Sequence, residues 1–147
     1  MRVPHGSYIL VADGRKRLFA RNDGDARSPS LSIVEAVEDH NPPSREQGTD
    51  APGRASSPVS GGAALSGADA HEVEQGRFAA DTAALLRHHA LAGTFEQLII
   101  IAPAKTLGNL RKHYHKEVSS KIIGEIGKDV TSHSIDAIEK LLIAHGE

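Results

Sequence analysis

Between Pro103 and Lys121 the chain carries five cations, Lys105, Arg111, Lys112, Lys116 and Lys121, against one acid, Glu117. Cations gathered this way neutralise phosphates, and binding through them weakens as salt rises. Read as one helix over 105–118, the segment turns Leu107, Leu110, Tyr114 and Val118 to one face and Lys105, Asn109, Lys112 and Lys116 to the other. The same stripe also describes an ordinary solvated helix face. Tyr114 falls on the apolar side, which suits a core residue rather than a platform for stacked bases.

A second stretch, "TDAPGRA" at 49–55, offers a different chemistry. Arg54 could grip a phosphate or a carboxylate while Asp50 orients it. The alternative is a Pro-Gly turn of type II that Asp50 caps. A metal-dependent nuclease would need several carboxylates meeting at strand ends, and the candidates are Asp13 and Asp129. Asp13 is also explained by the turn it begins, and Lys128 with Asp129 by a join between strand and helix.

Other chemistries find no footing. Adjacent His88 and His89, and His113 with His115, point in different directions on a helix, so no metal site is expected. There is no G-x-S-x-G elbow, and neither "GEIG" nor Gly61-Gly62 matches a phosphate loop or dinucleotide fingerprint; no cofactor is expected. Absence of cysteine removes thiolate nucleophiles, disulfides and Cys-based zinc sites.

These residues need elements to hold them. "SYILVA" (7–12) reads as a strand buried on both faces, and "DG" at 13 and 14 as a type I′ hairpin turn leading into a partner strand at 15–21. After a turn at "NDGD", Leu31, Ile33 and Val37 share one face of a third antiparallel strand. Prolines and glycines from about 38 to 69 predict a long exposed loop. A helix over 71–93, a strand at 97–102 and the 105–118 helix follow. "KIIGEI" (121–126) fits either a last strand or a helical stripe, and Ser134 caps a closing helix over 134–145. The pattern predicts one α/β domain: a mixed five-stranded sheet opening with three antiparallel strands, with helices packed on it.

Length and composition agree. A chain of 147 residues with 39% hydrophobic and 24% charged residues suits a single domain, and 3% aromatics make its core aliphatic. A net charge of −2 argues against a basic field over the whole surface, though a local basic patch is compatible with it. No apolar run is long enough to cross a bilayer and no lipidation motif is present, so a cytoplasmic protein without direct membrane insertion is expected.

"ILVADGRKRLFAR", "EDHNPPSREQGTDAPGRASSP", "IIIAPAKTLGNLRKHYHKEV" and "EIGKDVTSHSIDAIEKLL" together resemble the bacterial host attachment protein family over nearly the whole chain. That family is in turn similar to the middle domain of the archaeal and eukaryotic peptide-chain release factor. The resemblance implies a ribonuclease-H-like mixed sheet and a binding domain without catalytic residues. The partners it implies are tRNA, rRNA or the ribosome, or else attachment-related proteins. A Gly-Gly-Gln tripeptide, which in the release factor serves peptidyl-tRNA hydrolysis, is missing: Gly61-Gly62 is followed by Ala63. Expected binding residues are therefore Asp50, Arg54, Lys105, Arg111, Lys112 and Lys116, with Asp13 and Asp129 in minor roles.

Overall fold

The computed structural model describes residues 2–38 and 67–145. β1 (Tyr8–Ala12), β2 (Lys16–Asn22) and β3 (Leu31–Glu38) come first, then a long helix α1 (Gly67–Leu91) and β4 (Leu98–Ile101). A short helix α2 (Ala104–Arg111), a single turn α3 (Lys116–Ser119), β5 (Ile122–Ile126) and α4 (Ile135–Ala144) complete the chain. The sheet order is β3-β2-β1-β4-β5; β1, β4 and β5 run parallel, and β2 and β3 are antiparallel to their neighbours. This is the mixed five-stranded α/β sheet the sequence predicts. Ile122–Ile126 resolves as a strand because β4 offers it an open parallel edge, and β-branched isoleucines suit the pleat.

Alternation along the central strands sorts their side chains into two cores. Tyr8, Leu10, Ala12, Phe19, Leu98 and Ile100 lie under α1, α2 and α3, where they meet Ala79, Leu86, Ala90, Leu107, Leu110 and Val118. Ile9, Val11, Ala20, Ile99, Ile101 and Ile126 face the other way onto Ile138 and Leu142 of α4. Each fully buried Leu or Ile contributes roughly 2 kcal/mol from burial, so this sandwiched sheet is the main source of stability. α1 stops at Gly93, whose φ of +76° is open to glycine, with the Thr94 amide donating to the His89 carbonyl.

Three local features depart from the sequence reading. The first hairpin does not turn on a positive-φ glycine: among the described residues only Gly6 and Gly93 have one. Instead the Asp13 amide donates to the Lys16 carbonyl at 2.9 Å, while Asp13 Oδ1 accepts from the amides of Arg15 (2.7 Å) and Lys16 (2.6 Å). A Cβ at Gly14 would lie 2.7 Å from Gln75 Cγ on α1, so a larger residue there would make that flexible side chain shift.

In β3 a bulge inserts Val34, so that Ile33 sits opposite Ala20 but Glu35 opposite Phe19. Leu31 and Ile33 therefore share a face, and Val37 lies on the opposite one. The helix expected over 105–118 is broken. α2 ends at Arg111, and His115 takes an extended conformation (φ −74°, ψ 150°) whose Nδ1 accepts from the Glu117 amide, starting α3 afresh. Histidine acting as an N-cap outcompetes helix continuation there.

Candidate nucleic-acid interface

Parallel β1, β4 and β5 give the sheet two distinct ends. α2 starts directly after β4, so Lys105, in its first turn, sits at the end where the parallel strands finish. Lys116 opens α3, three residues before the last of that turn and just ahead of β5, and sits at the end where they begin. The two lysines are thus separated by a strand length, roughly 15 Å. Lys112 is the C-cap of α2. All three lysines are exposed, but they belong to two helices and the corner between them, not to one stripe.

The other two cations of the segment serve the fold. Arg111 donates through Nε (3.2 Å) and Nη2 to Glu125 Oε1 of β5. Lys121, with its side chain only 15% exposed, donates to the carbonyls of Ala90 (3.4 Å) and Phe95 (3.3 Å) and lies 3.7 Å from Glu96. It thereby closes the C-terminus of α1. Lys112 and Lys116 make no ion pair among the described residues.

Tyr114, between α2 and α3, packs against the core as its place on the apolar face implies. Its hydroxyl is buried without a hydrogen-bond partner. Burial, and then the neighbouring Glu125 carboxylate, push its pKa well above the ordinary tyrosine value.

At the finishing end of the sheet, Thr131 Oγ1 lies 2.7 Å from Asp13 Oδ2 and 3.3 Å from Asp129 Oδ1. Asp13 and Asp129 thus meet at a single hydroxyl, which can donate to only one of them at a time. Nothing among the described residues gathers three or more His, Cys, Asp or Glu side chains that could hold a metal ion. Thr131 also borders a cavity of about 330 Å³ with Lys16, Leu18, Ala36 and Glu38.

Across the β2–β3 ribbon, Arg17, Glu74, Arg77, Phe78 and Asp81 border a second cavity of about 480 Å³. Arg17 is tied there to Glu35 (3.2 Å) and Thr82 Oγ1 (3.2 Å), with its guanidinium 5.3 Å from the centre of the Phe78 ring. Sequence reasoning missed Arg17 and Thr131. Their contacts join strands, helices and loops that only the tertiary fold brings together.

Asp50 and Arg54, the whole of "TDAPGRA", and Gly61-Gly62 lie outside the described residues. Glu38, the last described residue before them, pairs with Lys16 beside the Asp13 turn, at the Lys105 end of the sheet and away from Lys116. No helix of the described residues is long and apolar enough to cross a membrane.

Comparison with known proteins adds a family. The model of a family described as bacterial archaeo-eukaryotic release factor family 12 matches residues 6–142. No curated protein matches the chain. Among solved structures, an archaeal translation termination factor, aRF1, is similar with 10% identity and a TM-score of 0.47, covering 93% of this chain and 36% of that one. A structure described as an archaeal protein is similar with 9% identity and a TM-score of 0.46, covering 95% of this chain and 34% of that one. The chain spans about a third of the length of either.

Proposed function

This chain belongs to bacterial archaeo-eukaryotic release factor family 12, and from that premise we propose that it is a release-factor-like binding domain that contacts RNA of the translation machinery. Family membership is the observation that carries the reading. Exposed Lys112 and Lys116, at one end of the sheet, supply the chemistry, since an ammonium group engages a phosphate without geometric demands, while Lys105 stands at the other end. Asp50 and Arg54 belong to the same proposal as residues of a recognition loop. Asp13 and Asp129 are given a structural part, because Thr131 already joins them and Asp13 holds the hairpin turn. The setting that fits such a partner is the cytoplasm.

The test is fluorescence anisotropy with labelled RNA at low and moderate salt. A variant with Lys112 and Lys116 both reversed to Glu should bind at least roughly 10-fold more weakly than the wild type, with a shallower salt dependence. Equal affinity of the two proteins would remove this surface from the reading.

A second reading, an accessory protein of host-cell attachment acting through protein contacts, is favoured by one feature. β3 is an edge strand that carries Ile33 and Val34 exposed at 56% and 47%. Edges of this kind accept a strand from another chain. Recovery of envelope or adhesion proteins without RNA in a pull-down would support it over the first.

A further inference from the structure

Two helices distant in sequence meet at the end of the sheet where the parallel strands begin. α1 packs against α2 and α3. Lys121, two residues past the end of α3, reaches the carbonyls of Ala90 and Phe95. The last turns of α1 therefore lie beside α3. Leu86 and Ala90 of α1 point into the core cluster that also holds Val118 of α3. Arg87, rotated about 100° from Leu86 along the helix, turns outward and is exposed.

Charge at this edge is unbalanced. Arg87, Lys112 and Lys116 make no ion pair among the described residues. Of the acids close by in sequence, Glu96 faces Lys121 at 3.7 Å, and Glu117 is half-buried in the first turn of α3. Lys105 stands at the opposite end of the sheet.

Resting on the reading that this domain binds RNA, we infer that the contact surface is this edge: Arg87 is a third phosphate-binding residue beside Lys112 and Lys116, and Lys105 lies outside the surface. Phosphates along a nucleic-acid strand are a few ångströms apart, so cations grouped at one corner can engage neighbouring phosphates together. A lysine at the far end of the sheet can join them only if the RNA runs the full width of the domain. Arg87 adds what lysine lacks, a planar fork that can hold one phosphate through two hydrogen bonds.

A purely structural role for Arg87, offsetting the negative end of the α1 dipole, would leave RNA affinity and its salt dependence unmoved. The measurement is anisotropy of labelled bulk tRNA with the full chain, comparing single variants, each first shown by circular dichroism to be folded. Arg87→Glu should weaken binding roughly 5-fold and lower the slope of log affinity against log salt by about one, while Arg87→Lys keeps most of the affinity. Lys105→Glu should stay within about 2-fold of the wild type. Loss with Lys112→Glu and Lys116→Glu but none with Arg87→Glu would overturn the inference and leave the RNA reading standing. A loss with Lys105→Glu as large as with Arg87→Glu would also overturn it. No binding of tRNA by the wild type would instead remove the reading on which it rests.

Discussion

Tyr114 and His89 show how single polar groups are tolerated against the helical core. Tyr114 carries the one buried side-chain oxygen or nitrogen among the described residues that lacks a hydrogen-bond partner. Folding strips water from this hydroxyl and returns nothing, a cost of about 1–3 kcal/mol. Tyr114→Phe removes the oxygen and keeps the ring, so the variant should be as stable as the wild type or up to about 2 kcal/mol more stable in urea unfolding. A loss above about 1 kcal/mol would show that the hydroxyl has a partner. His89 stacks at 5.1 Å on Phe19, and its Nδ1 lies 3.1 Å from Thr94 Oγ1. Burial, and then the charge of His88, hold its pKa below the ordinary 6.5, with Glu35 opposing them weakly. The unfolded chain therefore takes up a proton that the folded chain refuses. His89 contributes its full stability above about pH 6.5 and loses it as the pH falls from there through the depressed folded value. Urea midpoints measured from pH 7.5 to 5 should fall more steeply for the wild type than for His89→Gln. Parallel curves would contradict this assignment.

Among the elements, the C-terminus of α1 shows what fastens helix to sheet. Its last carbonyls are closed by backbone bonds around Gly93 and by the ammonium of Lys121, reaching in from the start of β5. Lys121→Ala leaves the Ala90 and Phe95 carbonyls short of a charged donor, and should cost about 1–2 kcal/mol. Amide exchange in the last turn of α1 should quicken with it, whereas unchanged exchange there would mean that the cap is idle. The strands were legible in advance because short runs of β-formers such as "YILVA" and "LIII", closed off by "DG" and by Pro103, suit strands covered on both faces. Residues 105–118 misled because their apolar spacing continues through Tyr114 and Val118, while the capping choice of His115 depends on a single ring nitrogen. The bulge at Val34 shows in "LSIVEAV" only as the adjacent pair Ile33-Val34 and as Glu35, which strict alternation would set on the face of Leu31, Ile33 and Val37. At the site, the cation-rich character of 103–121 could be read directly. The removal of Arg111 from it could not, because Glu125 lies 14 residues away on a strand that only the parallel pairing brings alongside.

The molecule as a whole is a sheet between two helical layers with unlike ends. One end holds Asp13, Thr131, Asp129 and Lys105 and the last described residue before 39–66; the other holds Arg87, Lys112 and Lys116. Such separation lets one small domain present two independent surfaces, a division that the net charge of −2 conceals because it averages over both. The contact with RNA of the translation machinery proposed for this domain can be measured in cells. Ultraviolet crosslinking followed by denaturing purification and sequencing of the attached RNA reads out that contact without presuming a ligand. tRNA or rRNA should be recovered with the wild-type chain and be strongly depleted with the variant in which Lys112 and Lys116 are replaced by Glu. Recovery of no RNA above the uncrosslinked background, from a folded and expressed chain, would contradict the proposed contact.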